Sequence, residues 1–293
     1  MKYPSGGSFK AALEAMIRRN AGPDNDSVVR LRKRIAADRL IARLLSVERN
    51  GWVIKGGMAL DLRYGDRARM TKDLDLVRAD TTEAGFEALL AATDQDLDDY
   101  FSLMVGRSST FDDDDNTATR YQIRVELGGA LFERLTVDIG LADSLPYPPD
   151  RLAGIRFFDF ADLEPIEIPA IPIAHHVAEK VHAYTRTYSS GRKSTRVKDL
   201  VDIVLISLES SFTAGELRTA LEQTFSPRGT HDLPAHLPSP PAEWSVPFGE
   251  LAKRIGLNPD IDEGYSRAVL LLDPVLSGEV VGTSMWDRTG RWS

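Results

Sequence analysis

The middle of the chain carries the pattern that most constrains its fold. Tyr121, Ile123, Val125 and Leu127 fall on one side and Arg120, Gln122, Arg124 and Glu126 on the other; Gly128-Gly129 follows, and Leu131 to Ile139 takes up the pattern again. Alternation with period two around a glycine pair predicts a β-hairpin. In the second arm Leu135, Val137 and Ile139 face the core, which turns Thr136 and Asp138 to the opposite side. Any fold for this chain has to bury one hairpin face and leave the other polar.

Earlier residues supply further elements. Ser27 to Val47 reads as an amphipathic helix whose basic face carries Arg30, Arg32, Lys33 and Arg34. Trp52 to Lys55 reads as a short strand ending at Gly56-Gly57, Met58 to Tyr64 as a helix, and Lys72 to Val77 as a second strand. On that strand Leu74 and Leu76 point one way, Asp73 and Asp75 the other. A helix is expected over Thr82 to Ala92, and the segment 94–115, with eight aspartates, reads as a solvated loop. Short extended pieces are expected at Ile155 to Phe160 and Ile166 to Ile168. From Pro172 the chain reads as mostly helical: to about Tyr188, then Thr195 to Leu208, Thr213 to Phe225, Pro247 to Ile255 and Ile261 to Leu276, with a proline-rich connector at 227–247. The expected division is 1–165, an α/β core with a leading helix, and 166–293, a helical region.

Composition narrows the chemistry. A content of 42% hydrophobic and 27% charged residues suits one large or two modest domains. The absence of cysteine removes disulfides, thiolate catalysis and cysteine-ligated metals. A formal net charge of -8 makes the global field repulsive to nucleic acid, so any such contact has to use local basic patches. No apolar run approaches the roughly 20 residues of a membrane span, and a soluble, cytoplasmic protein is expected.

The strongest local signal is Gly56-Gly57 followed, after a helix, by Asp73 and Asp75, and later by Asp138. A pair at i, i+2 on a strand puts two carboxylates on one face, the geometry that holds divalent cations against a triphosphate. A glycine turn opening onto a helix N-terminus offers backbone amides to phosphates. An isolated Asp-x-Asp is more often two solvent-facing side chains; the glycine pair and the third strand aspartate, in this order, favour the functional reading. Lys180 lies mid-helix, where it is either a snorkelling side chain or a cation for a leaving pyrophosphate. His175, Glu179 and His182 lack a second metal-binding half and read as structural. Asp199 and Asp202 sit near a helix start, where dipole compensation is the plainer account. Arg186, Arg192, Lys193, Arg196 and Lys198 form a basic cluster, and Arg63, Arg67 and Arg69 fall between the glycines and the aspartates. Trp244, Trp286 and Trp292 read as core or partner contacts before base-stacking platforms.

These blocks resemble the motifs of the AbiEii/AbiGii-type nucleotidyltransferase toxins, which include the mycobacterial MenT toxins. Lys55 to Leu60, Arg63-Tyr64, Arg69 and Thr71 to Leu76 are similar to the first motif, Val137-Asp138-Ile139 to the second, Ala178 to Ala183 to the third, and Arg196 to Asp202 to the fourth. The family often has Ser or Thr with a small neighbour before the first aspartate; here Lys72 stands between Thr71 and Asp73. The resemblance implies a DNA-polymerase-β-like core with a mixed sheet and a helical C-terminal region, acting as a toxin. It implies a nucleoside triphosphate substrate, Mg²⁺ or Mn²⁺ at Asp73, Asp75 and Asp138, nucleotide contacts from Gly56, Gly57, Arg69, Thr71 and Lys180, and catalytic roles for Asp73, Lys180 and Asp199. Its implied partners are the tRNA acceptor end and a cognate antitoxin of AbiEi type, with no membrane. A protein hydroxyl as acceptor of a nucleotidyl or phosphoryl group, or an inactive nucleotide-binding module, are the rival readings.

Overall fold

The computed structural model describes residues 2–113, 116–141, 148–186 and 196–293. Helix α1 (Gly6–Ala21), capped by Ser5, buries Phe9, Leu13 and Ile17; α2 (Asn25–Val47), capped by Asp24, buries Ile35, Leu40, Ile41 and Leu44. Strand β1 (Val53–Lys55) runs directly into α3 (Gly56–Tyr64). There follow β2 (Asp73–Arg78), α4 (Thr82–Thr93), β3 (Phe101–Asp113), β4 (Asn116–Leu127), β5 (Ala130–Leu141), β6 (Asp150–Ala153) and β7 (Glu167–Ala170). The seven strands form one mixed sheet in the order β3-β4-β5-β2-β1-β7-β6. Strands β2 and β5 pair in parallel, as do β1 and β7; the other neighbours are antiparallel. The α/β class and the mixed sheet are as the sequence implies.

The hairpin of β4 and β5 closes on Gly128 and Gly129, both at positive φ (+57° and +78°), the backbone a two-residue turn needs to match strand twist. That turn sets Leu127 opposite Ala130, out of phase with the apolar alternation further along. A bulge restores the phase: the register shifts by one between Val125 and Glu126, so Tyr121 meets Val137 and Ile123 meets Leu135. The skipped residue is Phe132. Its carbonyl accepts from Arg32 of α2, whose guanidinium lies 4.2 Å from the Phe132 ring centroid.

Two expectations are corrected, and the environment of a third element is resolved. The segment 94–115 is not a solvated loop: β3 begins at Phe101, and Asp99 is fully buried, held by the Arg43 guanidinium at 2.7 and 3.0 Å. Its Asp114 and Asp115 lie outside the described residues. The basic face of α2 is paired within the fold: Arg30 and Arg34 pair with Asp61, Arg32 with Glu14, and Lys33 donates to the Arg134 carbonyl. Residues 155–160 form turns and a short 3₁₀ segment rather than a strand.

The chain forms two compact units. The first comprises Met1–Arg63 and Met70–Ala170 and holds the whole sheet; the second comprises Tyr64–Arg69 and Ile171–Ser293. In the second unit α5 (Ile173–Thr185) packs on α6 (Val197–Glu209) and α7 (Ala214–Arg228), and α6 also packs on α8 (Ser245–Arg254) and α9 (Ile261–Leu276). A capping box of Thr213 and Glu216 starts α7. Pro227 and Pro247 lie inside α7 and α8, so the irregular connector is shorter than the proline spacing implies. Trp244 and Trp286 are buried, and the indoles of Trp286 and Trp292 donate to the Ser207 and Leu271 carbonyls, so core packing accounts for these rings. Among the described residues no helix is long and apolar enough to cross a membrane.

Candidate active site

In the first unit the alternation of β2 buries Leu74 and Leu76 and leaves Asp73 and Asp75 partly exposed on the other face. Parallel register sets Asp75 opposite Asp138 of β5, and Asp73 opposite Thr136. On the outer sides of this pair, Lys55 of β1 stands opposite Asp75 and Arg120 of β4 opposite Asp138. Lys55, Asp75, Asp138 and Arg120 therefore form one row across four neighbouring strands.

Two carboxylates directly opposed repel, and a row like this needs cations to be stable. Arg120 supplies one. Its Nε and one terminal nitrogen donate to the two oxygens of Asp138, each at 2.7 Å. That hydrogen bonding, reinforced by the nearby charges of Asp138, Asp73 and Asp75, holds the guanidinium above its ordinary pKa.

The glycine pair is required by what surrounds it. Gly56 has φ +61°, and a Cβ there would overlap the Asp75 carboxylate. A Cβ at Gly57 would come within 2.7 Å of Thr71 Cβ and Oγ1. Thr71 Oγ1 in turn donates to the Asp73 carbonyl at 3.2 Å. Removing two side chains thus lets Asp75 and Thr71 lie against the first turn of α3, where backbone amides are unsatisfied by the helix itself. Three carboxylates beside a helix N-terminus form a hard-oxygen donor set that fits Mg²⁺ or Mn²⁺. Among the described residues, no three His, Cys, Asp or Glu side chains stand grouped as a ready-made cage; Asp138 is turned to Arg120.

The second unit contains a buried charge network. Asp199 and Asp202, three residues apart on α6, share a face and are both fully buried. Lys180 of α5 reaches one oxygen of each at 2.9 Å. Arg69 donates to both oxygens of Asp202 at 2.9 Å, and Arg196 pairs with Asp199 at 2.8 Å. Burial alone would pull Lys180 down, but Asp199 and Asp202 outweigh it and hold the ammonium above its ordinary pKa. Burial likewise pushes Asp202 up, and Lys180 with Arg69 overcomes this, holding the carboxyl below its usual range. Three cations against two carboxylates leave this cluster with a positive surplus. Lys180 is therefore neither solvated nor snorkelling.

The sequence-predicted residues fall into these two groups: Gly56, Gly57, Thr71, Asp73, Asp75 and Asp138 in the first unit, Arg69, Lys180 and Asp199 in the second. Arg63 and Arg67 pair with Asp150 and Glu209. Arg192 and Lys193 of the basic cluster lie outside the described residues. His175 and His182 bond to Gln223 and Thr230, and Glu179 to Arg228, as structural side chains do. Sequence reading missed Arg120 and Lys55 as part of the row, although the hairpin phase described above contains the signal for Arg120.

The family described as nucleotidyl transferase AbiEii toxin, type IV TA system, matches residues 39–266. No curated protein matches the chain. Among solved structures, the MenT4 nucleotidyltransferase toxin from Mycobacterium tuberculosis is similar with a TM-score of 0.54 at 20% identity, over 90% of this chain and 98% of that one. JHP933 from Helicobacter pylori gives a TM-score of 0.41 at 16% identity, over 86% of this chain and 84% of that one. With the family's match spanning the sheet, the glycine turn, the carboxylate row and the Lys180 network, the chain belongs to the AbiEii nucleotidyltransferase toxins of type IV toxin–antitoxin systems.

Proposed function

We propose that the protein transfers a nucleoside monophosphate from a nucleoside triphosphate to the 3′ end of tRNA and so blocks translation. The observation that carries this reading is the register of Asp75 with Asp138, two residues from Asp73, beside the Gly56-Gly57 turn. Divalent cations held by Asp73, Asp75 and Asp138, Mg²⁺ in the first instance, would supply Lewis-acid polarisation of the triphosphate.

In this reaction the Gly56 and Gly57 amides and Thr71 hold the phosphates, and Asp73 would serve as a ligand of the divalent cations. The terminal ribose hydroxyl of the acceptor attacks the α-phosphorus in line, and its proton passes to a carboxylate of the row, Asp138 being the candidate. The bond from the α-phosphorus to the bridging oxygen breaks, and pyrophosphate leaves with the electron pair. Lys180 offsets the charge that develops on the leaving group, and Asp199 sets the position of its ammonium through their 2.9 Å contact. Arg69 contributes to nucleotide binding. A cognate antitoxin of AbiEi type, and action in the cytoplasm, complete the proposal.

The test uses purified protein with Mg²⁺, each labelled nucleoside triphosphate in turn, total RNA and cell protein, beside Asp73→Ala and Lys180→Ala. Label in tRNA with wild type and its loss in both variants is the expected result. Label in protein instead would move the acceptor to a Ser, Thr or Tyr hydroxyl, a reading that the net charge of -8 favours. No label in any fraction would leave a nucleotide-binding module. Expression of wild type should arrest growth, and equal arrest by either variant would refute a catalytic toxin.

A further inference from the structure

We infer that Arg120 is a built-in counter-ion of the carboxylate row, which must release Asp138 before a divalent cation can engage it, so that the cation enters with the triphosphate rather than alone. The inference rests on the proposed nucleotidyl transfer and concerns how that site is loaded. Arg120 takes both Asp138 oxygens at 2.7 Å, leaving neither carboxylate oxygen without a strong donor. The pairing is fixed by the backbone: the bulge at Val125/Glu126 shifts the register so that Arg120, rather than Thr119, stands opposite Asp138.

Charge gives the pair its consequence. Within the row Lys55 and Arg120 balance Asp75 and Asp138, and Asp73, two residues along β2 on the same face, leaves one net negative charge for an incoming dication. A bare cation therefore meets a nearly neutralised site. A triphosphate changes the balance, because it gives the displaced guanidinium a new partner, and the planar fork that fits a carboxylate also fits a phosphate. The Arg120 side chain keeps 41% of its surface accessible and Asp138 13%, so the arginine can swing away while the aspartate stays in place.

Equilibrium dialysis with Mn²⁺ tests this, since it reports protein-bound metal without turnover. Wild type, Arg120→Gln and Arg120→Lys would be compared with Mn²⁺ alone and with an equimolar mixture of the four α,β-methylene nucleoside triphosphates, circular dichroism confirming the fold. With Mn²⁺ alone, Arg120→Gln should bind about tenfold more tightly than wild type, the scale of one partly exposed charge-assisted pair. Arg120→Lys, a charge without the fork, should fall between them. With nucleotide present, wild type should recover most of the difference. Equal or weaker binding of Mn²⁺ alone by Arg120→Gln would overturn the counter-ion role and leave nucleotidyl transfer standing. Absence of protein-bound Mn²⁺ in every sample would overturn both.

Discussion

Gly56 shows how tightly a single position is specified here. Its φ of +61° and the Asp75 carboxylate occupying the space of a side chain are separate demands, and only glycine meets both. Gly129 shares the positive φ but has open space around it. Gly129→Ala should therefore lose about 1 kcal/mol of stability from left-handed backbone strain and keep full transfer activity. Gly56→Ala should show the same strain and, in addition, abolish transfer by displacing Asp75; denaturant midpoints measured beside label incorporation separate the two effects. At this scale the placement of Gly56, Asp73 and Asp75 is legible in the sequence. Asp73 and Asp75 share a face in any strand, and glycine before a helix is a direct statement about backbone. Arg120 was not read, because the Gly128-Gly129 turn taken alone sets Thr119 opposite Asp138; the apolar phase of the two arms points to Arg120 instead, and the two signals agree only through a bulge.

Among the elements, α2 and the start of β3 departed furthest from their composition. Residues 35–44 of α2 are buried almost throughout, Arg39 and Arg43 included, because Asp38 and Asp99 meet them. Asp99 lies in a turn whose neighbours Asp98 and Tyr100 have positive φ, and it also accepts from the Phe101 amide at 3.1 Å. Arg43 adds hydrogen bonds to the Gln95 and Phe101 carbonyls. A local window cannot show this, since the nearer cation against Asp99, Arg43, lies 56 residues earlier, with Arg39 a second at 3.6 Å. Arg43→Met should lower unfolding free energy by about 3 kcal/mol, the low end of the cost of breaking a buried pair, because Arg39 stays beside Asp99. Adding Asp99→Leu should recover part of that loss in urea titrations; a double variant no more stable than the single one would contradict the assignment. The alternating hairpin, α4, α6 and α9 were legible because their apolar periods act within each element and need no distant partner.

For the whole molecule, pH acts through groups that burial has moved. His182 is held near pKa 3, first by burial and then by Arg228, His231 and Arg186, well below its ordinary 6.5. The unfolded chain takes up this proton below about 6.5 and the folded chain does not, so stability falls as pH drops from 6.5 toward 3. His182→Gln, which keeps a partner for Thr230, should flatten thermal midpoints between pH 6.5 and 4.5; an unchanged slope would assign the acid sensitivity elsewhere. The Lys180 network acts outside this window. Its raised lysine contributes fully below the ordinary 10.5 and loses its contribution above it, while the depressed Asp202 loses its contribution only below 3.8.

Arg69 reaches Asp202 because the chain leaves the sheet unit at Arg63, lends six residues to the helical unit and returns at Met70. The gene therefore cannot be divided at one point into two self-sufficient modules. A fragment beginning at Ile171 would inherit a dry acid whose guanidinium is encoded 133 codons before it, whereas supplying the missing hexapeptide would preserve the pair. Recombination between relatives should accordingly succeed when these lengths of coding sequence travel together, and fail when they are parted.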